Sequence, residues 1–271
     1  MDITDVRRDL QAEQQALDEI VAPLRPEQWH LPTPSPRWTI ADQIGHLTYF
    51  DRTAAQAIVD PDEFTRGVER ILESADDADP DAFTLNEFRA LDAEPLLAAW
   101  RAGRQSLADA SAGLADGDRV VWYGPSMGAK SFLTARLMEA WAHGQDIVDA
   151  LAAAGIDADR EATDRLRHIA QLGYITRGWT YANRGLDVPD VPVRVALTSP
   201  TGDTWKFGPD ADSDPPPESI EGPALHFCLV TTQRRHVDDT DLVVTGASAR
   251  DWMEKAQLFA GPPTDGPAAT T

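Results

Sequence analysis

Apolar residues recur at three- and four-residue spacing from the N-terminus to about Arg184, then at a spacing of two. In the first stretch, Ile3, Val6, Leu10, Leu17, Ile20 and Val21 predict a helix that Pro23 and Pro26 end. Thr39 stands three residues before Asp42, the spacing of a capping box, and opens a second helix through Ile40, Ile44, Leu47 and Phe50. A third carries Leu96, Leu97, Trp100, Leu107 and Leu114. A fourth begins near Ser131, carries Leu133, Leu137, Trp141, Val148 and Leu151, and stops at Gly155. A fifth is expected from about Arg160 through Leu166, Ile169, Leu172 and Trp179. Helices of this length and amphipathicity describe a bundle.

After Arg184 the pattern changes. Val191, Val193, Val195 and Leu197 alternate with less apolar residues, and the turn Pro200, Thr201, Gly202, Asp203 leads to Trp205 and Phe207, which reads as a hairpin. Pro209 to Ser219 is acidic and proline-rich and reads as an exposed loop, Leu242 to Val244 as a short strand, and Ala249 to Phe259 as a last helix. The predicted organisation is a helical domain over 1–186, a small α+β domain over 187–261, and a disordered tail over 262–271.

Composition narrows the function. With 45 Asp plus Glu against 24 Lys plus Arg in 271 residues, the formal net charge of −21 opposes nucleic acid and anionic membrane as main partners. The single Cys228 excludes an intramolecular disulfide and a thiolate metal cluster, and suits a reducing, cytoplasmic setting. The first ten residues lack a signal-peptide core, and no run approaches the roughly 20 apolar residues of a membrane span. Cys228, inside the apolar run Leu225 to Val230, is expected to be buried and unreactive.

Candidate chemistry centres on the fourth helix. Glu139 and His143 are four residues apart and project from one face, and either residue type ligates a divalent transition ion. A third ligand is available in His46 on the second helix, with Asp42 one turn earlier placed to accept from its imidazole. Against this, Glu139 and His143 fall nearly opposite Leu137, Trp141 and Val148, as a solvated pair would, although Phe132, Ala135, Ala142 and Ala150 share their face. A second candidate, Gly124 to Ser131, matches the Lys and Ser offsets of a phosphate-binding loop. Ala129 separates Gly128 from Lys130, however, so a helix-entry turn is the better reading. His168 and His236 lie among charged residues and read as solvated, whereas His226 reads as packed. Arg234 and Arg235 end the apolar run after Cys228. They are open to two readings, a bidentate carboxylate clamp or surface ion-pair partners.

Several segments together resemble one family. Trp38-Thr-Ile-Ala-Asp-Gln-Ile-Gly-His-Leu47 resembles the first ligand helix of DinB-like four-helix bundles. Trp122 to Ser131 and Arg136 to Asp146 resemble the actinobacterial branch that includes mycothiol-dependent maleylpyruvate isomerase. Ser199, Pro200, Gly202, Trp205, Ile220 to Ala224 and the Arg pair resemble that branch's C-terminal domain, which is similar to sterol carrier protein-like folds. The resemblance implies a divalent ion, usually Zn2+, on His46, Glu139 and His143, and an Arg of the C-terminal domain, Arg234 or Arg235, that binds an acidic substrate. It further implies a low-molecular-weight thiol, mycothiol, whose thiolate adds to an electrophilic carbon. In an isomerase the thiol leaves after a double bond rotates; in a transferase it stays attached. A non-catalytic metal-binding or regulatory module and a metal-dependent hydrolase are the competing functional expectations.

Overall fold

The computed structural model describes residues 2–74, 81–158, 160–213 and 217–270. Contacts within the chain divide it into two compact units, Met1–Arg160 and Glu161–Thr271. The division falls at Arg160, not at the linker expected between Leu186 and Val191. The two helices that follow it pack on the second unit's own elements, and a change of hydrophobic period marks a change of element type, not a domain border.

The first unit is helical. Helices α1 (Ile3–Val21), α2 (Ile40–Val59), α5 (Ala93–Ser111) and α6 (Ala129–Ala153) pack on one another as the bundle, with α3 (Pro61–Ser74) and α4 (Ala82–Arg89) beside α2. Helix α1 starts at a capping box of Asp2 and Asp5, and α2 at one of Thr39 and Asp42. The core joins Leu17, Trp29, Ile44, Leu47, Leu96, Trp100, Ile147 and Leu151. Ion pairs lock α1 to α5, with Asp18 bound by Arg101 at 2.6 Å and Arg104 at 2.7 Å. A short antiparallel ribbon, β1 (Arg119–Val120) and β2 (Met127–Gly128), leads straight into α6, so Gly124 to Lys130 is a hairpin turn and helix entry, with Lys130 exposed. Neither α3 nor α4 was among the expected helices. In α3 Phe64, Val68, Ile71 and Leu72 do recur at helical spacing and could have announced it, whereas α4 is only eight residues long.

In the second unit the predicted fifth helix is two helices, α7 (Leu166–Ile175) and α8 (Arg177–Ala182), separated at Thr176, whose hydroxyl bonds back to the Leu172 carbonyl at 2.8 Å. Strands β3 (Val193–Thr198) and β4 (Thr204–Phe207) form the expected hairpin; Gly202, at φ 94°, supplies the turn conformation that a side chain resists. Strand β5 (Glu218–Pro223) runs parallel to β3, and β6 (Val243–Thr245) antiparallel to β5, giving the order β4-β3-β5-β6. The acidic segment therefore ends in a strand at Glu218, and positions 214–216 lie outside the described residues. The run around Cys228 is a helix, α9 (Ala224–Thr231), apolar on every side; the last helix, α10 (Ala247–Lys255), stops four residues before Phe259. Cys228 is buried in α9, and burial pushes its thiol well above the ordinary range.

His168 is buried in α7, not solvated as its charged neighbours suggested. The tail carries no helix or strand through Thr270, but Thr264 hydrogen-bonds Gln257 and Gln233, and Thr270 reaches Asp239. Among the described residues no helix is long and apolar enough to cross a membrane.

Candidate metal centre

Two facing helices build the site. On α2, Gln43, His46 and Phe50 turn toward α6. On α6, Arg136, Glu139, His143 and Asp146 recur every three or four residues and face back. His46 Nε2 lies 3.3 Å from Glu139 Oε2, and His143 Nε2 lies 3.1 Å from the same oxygen. One ligand atom from each of the three residues falls within 4.8 Å of the others. Tetrahedral ligands at about 2.0–2.1 Å from a zinc ion stand roughly 3.3 Å apart, so both measured edges suit a divalent ion.

Side-chain exposures of 15%, 22% and 12% for His46, Glu139 and His143 leave the triad largely but not wholly buried. The helical-wheel objection fails because α6 lies inside the bundle and is covered on most sides: Leu137 and Trp141 are buried on one face, Phe132, Arg136 and Ala150 on the other.

The proton inventory shows what the triad lacks. Thr33 Oγ1 donates to the Trp38 carbonyl at 3.0 Å, so it accepts from the Gln43 amide at 2.9 Å. Gln43 is fully buried, and its other end, Oε1, must then be the acceptor for His143 Nδ1–H at 2.5 Å. With hydrogen on Nδ1, His143 turns Nε2 toward a carboxylate oxygen. Two acceptors 3.1 Å apart require a cation between them, a proton or a metal.

His46 is placed differently. Its ring is packed by Trp38 and Phe50 at centroid distances of 5.1 and 4.6 Å, and its buried Nδ1 has no hydrogen-bond partner among the described residues. Burial, reinforced by the charge of His143, pushes the His46 imidazole down to about 4, so it is neutral and free to ligate at pH 7. Burial works to raise the Glu139 carboxyl, but the close approach of the His143 and His46 rings outweighs it and holds the group well below the carboxylate range.

Asp42 does not support His46. Its oxygens accept from Thr39 N at 2.9 Å and Arg89 Nε at 2.7 Å, because a residue at the third position of a helix closes the capping box instead of reaching down the helix. The residue that orients a ligand is Gln43, three positions before His46 and directed at the other histidine. Its partner lies 100 positions along the chain, which no local spacing encodes.

Arg234 and Arg235 are in the second unit, just after α9, which Gln233 ends in a left-handed conformation at φ 60°. Arg234 Nη1 donates to the Thr232 carbonyl at 2.5 Å, and Arg235 Nη1 to the Arg234 carbonyl at 2.7 Å. His226 and His236 accept backbone N–H groups of Asp241 and Asp238, as packed and capping residues.

A family model described as the mycothiol maleylpyruvate isomerase N-terminal domain matches residues 10–148, a span that holds all three candidate ligands. The chain belongs to that family. Within it, the Uncharacterized protein Rv0036c of Mycobacterium tuberculosis H37Rv is 42% identical over 261 residues, covering 95% of this chain and 96% of the relative. The Uncharacterized protein MT0041 of strain CDC 1551 gives the same 42% identity over 261 residues. A crystal structure of the mycothiol-dependent maleylpyruvate isomerase superposes with a TM-score of 0.55 at 15% identity, over 86% of this chain and 90% of that one. That of a single-site mutant gives 0.54 at 16% identity, over 88% and 91%. At such identities the likeness extends to the fold, and membership of the mycothiol maleylpyruvate isomerase N-terminal domain family leaves the reaction to be argued from the site.

Proposed function

We propose that this chain holds one divalent ion, most plausibly zinc, on His46, Glu139 and His143, and is a mycothiol-dependent isomerase or S-transferase for a small acidic electrophile. The observation that carries this reading is the convergence of three metal-ligating groups on one point, with Gln43 holding His143 Nδ1 so that Nε2 faces the other two. A three-residue ligand set leaves a coordination position for an incoming group. When bound, the ion supplies Lewis acidity that lowers the pKa of a thiol toward neutrality. The chain itself orients that chemistry: Gln43 aims His143, and the Trp38 and Phe50 rings hold His46. The family description supports a thiol as the incoming group, and Cys228, buried in the second unit, is not that thiol.

Elemental analysis tests the metal: wild type is expected to carry about one ion per chain and His46→Ala and His143→Ala to lose it. Full retention by both variants would remove the assignment. Turnover of maleylpyruvate and conjugation of other electrophiles, with mycothiol, bacillithiol or glutathione, test the reaction. Metal-replete wild type that turns over nothing with any thiol makes the non-catalytic module the better account. In this reading Arg234 or Arg235 pairs with the acidic group, and truncating the responsible residue raises KM or lowers kcat at unchanged metal content.

A further inference from the structure

Arg136 lies one turn before Glu139 on α6, with only 5% of its side chain exposed. Its Nε and Nη2 are buried without a hydrogen-bond partner among the described residues. Its nearest carboxylate, Asp51, is itself buried and stands 3.8 Å from Nε, too far for a hydrogen bond; Asp51 accepts instead from Gln14 Nε2 at 2.9 Å. A buried guanidinium left without acceptors is costly, and such groups in folded proteins usually mark an unfilled partner position.

The surroundings show what that partner meets. The guanidinium carbon lies 5.5 Å above the Phe50 ring, the same ring that packs on His46 at 4.6 Å. From Phe50 an aromatic wall continues through Trp122 at 6.2 Å and Tyr123 at 5.9 Å, and Tyr123 is 36% exposed, so the wall reaches the surface. One helical turn from Glu139 and seated over the ring that packs on His46, Arg136 stands beside the triad. Triad, wall and cation all belong to the first unit. In a chain of net charge −21, an anion is repelled from most of the surface and needs a fixed local cation.

We propose that Arg136 is an anion-binding residue of the metal site, its guanidinium receiving a carboxylate of the ligand beside the Phe50 ring. This deepens the function proposed above, on which it rests only in naming that ligand as the electrophile.

Benzoate and its neutral isostere benzamide are the probes, titrated calorimetrically into the full chain, both zinc-loaded and metal-free. No thiol and no turnover are needed, so failure of the thiol reading and failure of this one are separable. Wild type is expected to bind benzoate at least tenfold more tightly than benzamide in both forms. Arg136→Lys keeps part of that preference. The double variant Asp51→Asn/Arg136→Met, which removes both buried charges and so leaves neither unpaired, abolishes it. Equal affinity of wild type for the two probes overturns the proposal, as does a folded double variant that still prefers benzoate. Benzoate binding seen only with zinc and insensitive to Arg136 assigns the carboxylate to the metal and overturns it equally.

Discussion

At the residue scale, the site depends on side chains that do not ligate. Gln43 fixes which nitrogen of His143 carries the proton, and without it the ring can rotate or adopt the other tautomer. Gln43→Ala is therefore expected to keep the fold and lower zinc affinity by about 10- to 100-fold, measured by competition with a chromogenic chelator. An affinity equal to wild type would show that helix packing alone orients His143. Asp51 makes a different prediction. Burial pushes its carboxyl up to about 6, although Arg136 and the hydrogen bond from Gln14 pull it back. Because its folded value lies above its ordinary value of 3.8, the folded protein holds that proton more tightly. The resulting stabilisation is complete below about pH 3.8 and is lost as pH rises through about 6. Asp51→Asn, which keeps the neutral form's shape, should exceed wild type in Tm by more at pH 8 than at pH 4. Over that range the difference corresponds to about 3 kcal/mol at most. A Tm difference independent of pH would show that Asp51 titrates normally.

At the element scale, α2 is the helix on which the site's geometry turns, because it carries Gln43, His46 and Phe50 and packs against α4, α5 and α6. A small residue is needed where α4 crosses it. A Cβ on Gly45 would sit 3.0 Å from the Phe88 Cβ and 3.5 Å from Leu85. Gly45→Ala should cost about 1–3 kcal/mol by overpacking, read from urea denaturation, and should weaken metal binding by shifting the adjacent His46. A variant as stable as wild type would show that α4 yields freely. Thr39→Ala, which opens the capping box at the start of α2, is expected to cost about 1 kcal/mol. Elements with a one-sided apolar stripe and a cap, such as α1 and α2, were legible in the sequence. Strand β5 was not, since Ile220 is its one fully buried residue, and α9 was not, since an apolar run without a polar face has no period to read.

At the scale of the whole molecule, the division at Arg160 carries its own prediction. Every candidate ligand, Gln43 and the aromatic wall lie within Met1–Arg160, and Arg160 closes that unit by bonding Glu13 at 2.5 Å and the Trp141 carbonyl at 2.7 Å. A fragment of residues 1–160 should fold on its own and bind one divalent ion per chain, as judged by circular dichroism and elemental analysis. A fragment ending at residue 158, lacking Arg160, should be measurably less stable, since it leaves Glu13 buried without its cation. If the longer fragment is unfolded, the helical unit is not autonomous and metal binding requires the complete chain.

The sequence by itself determined the bundle helices, the hairpin of β3 and β4, the acidic field and the three ligand types, because period, caps, turn residues and charge are local properties of the chain. Family-like segments around His46 and Glu139 made the site legible where spacing alone was ambiguous. What only the tertiary structure decided is which faces of α6 are covered, and therefore that Glu139 and His143 are largely buried instead of meeting bulk water. It also decided that Gln43, not Asp42, supports the triad, that α7 and α8 join the sheet, and that Arg136 is buried with unmet donors. Each of these depends on residues brought together from distant positions, Gln43 with His143 and Asp51 with Arg136. Burial and partner choice follow from packing between elements, which no local pattern encodes.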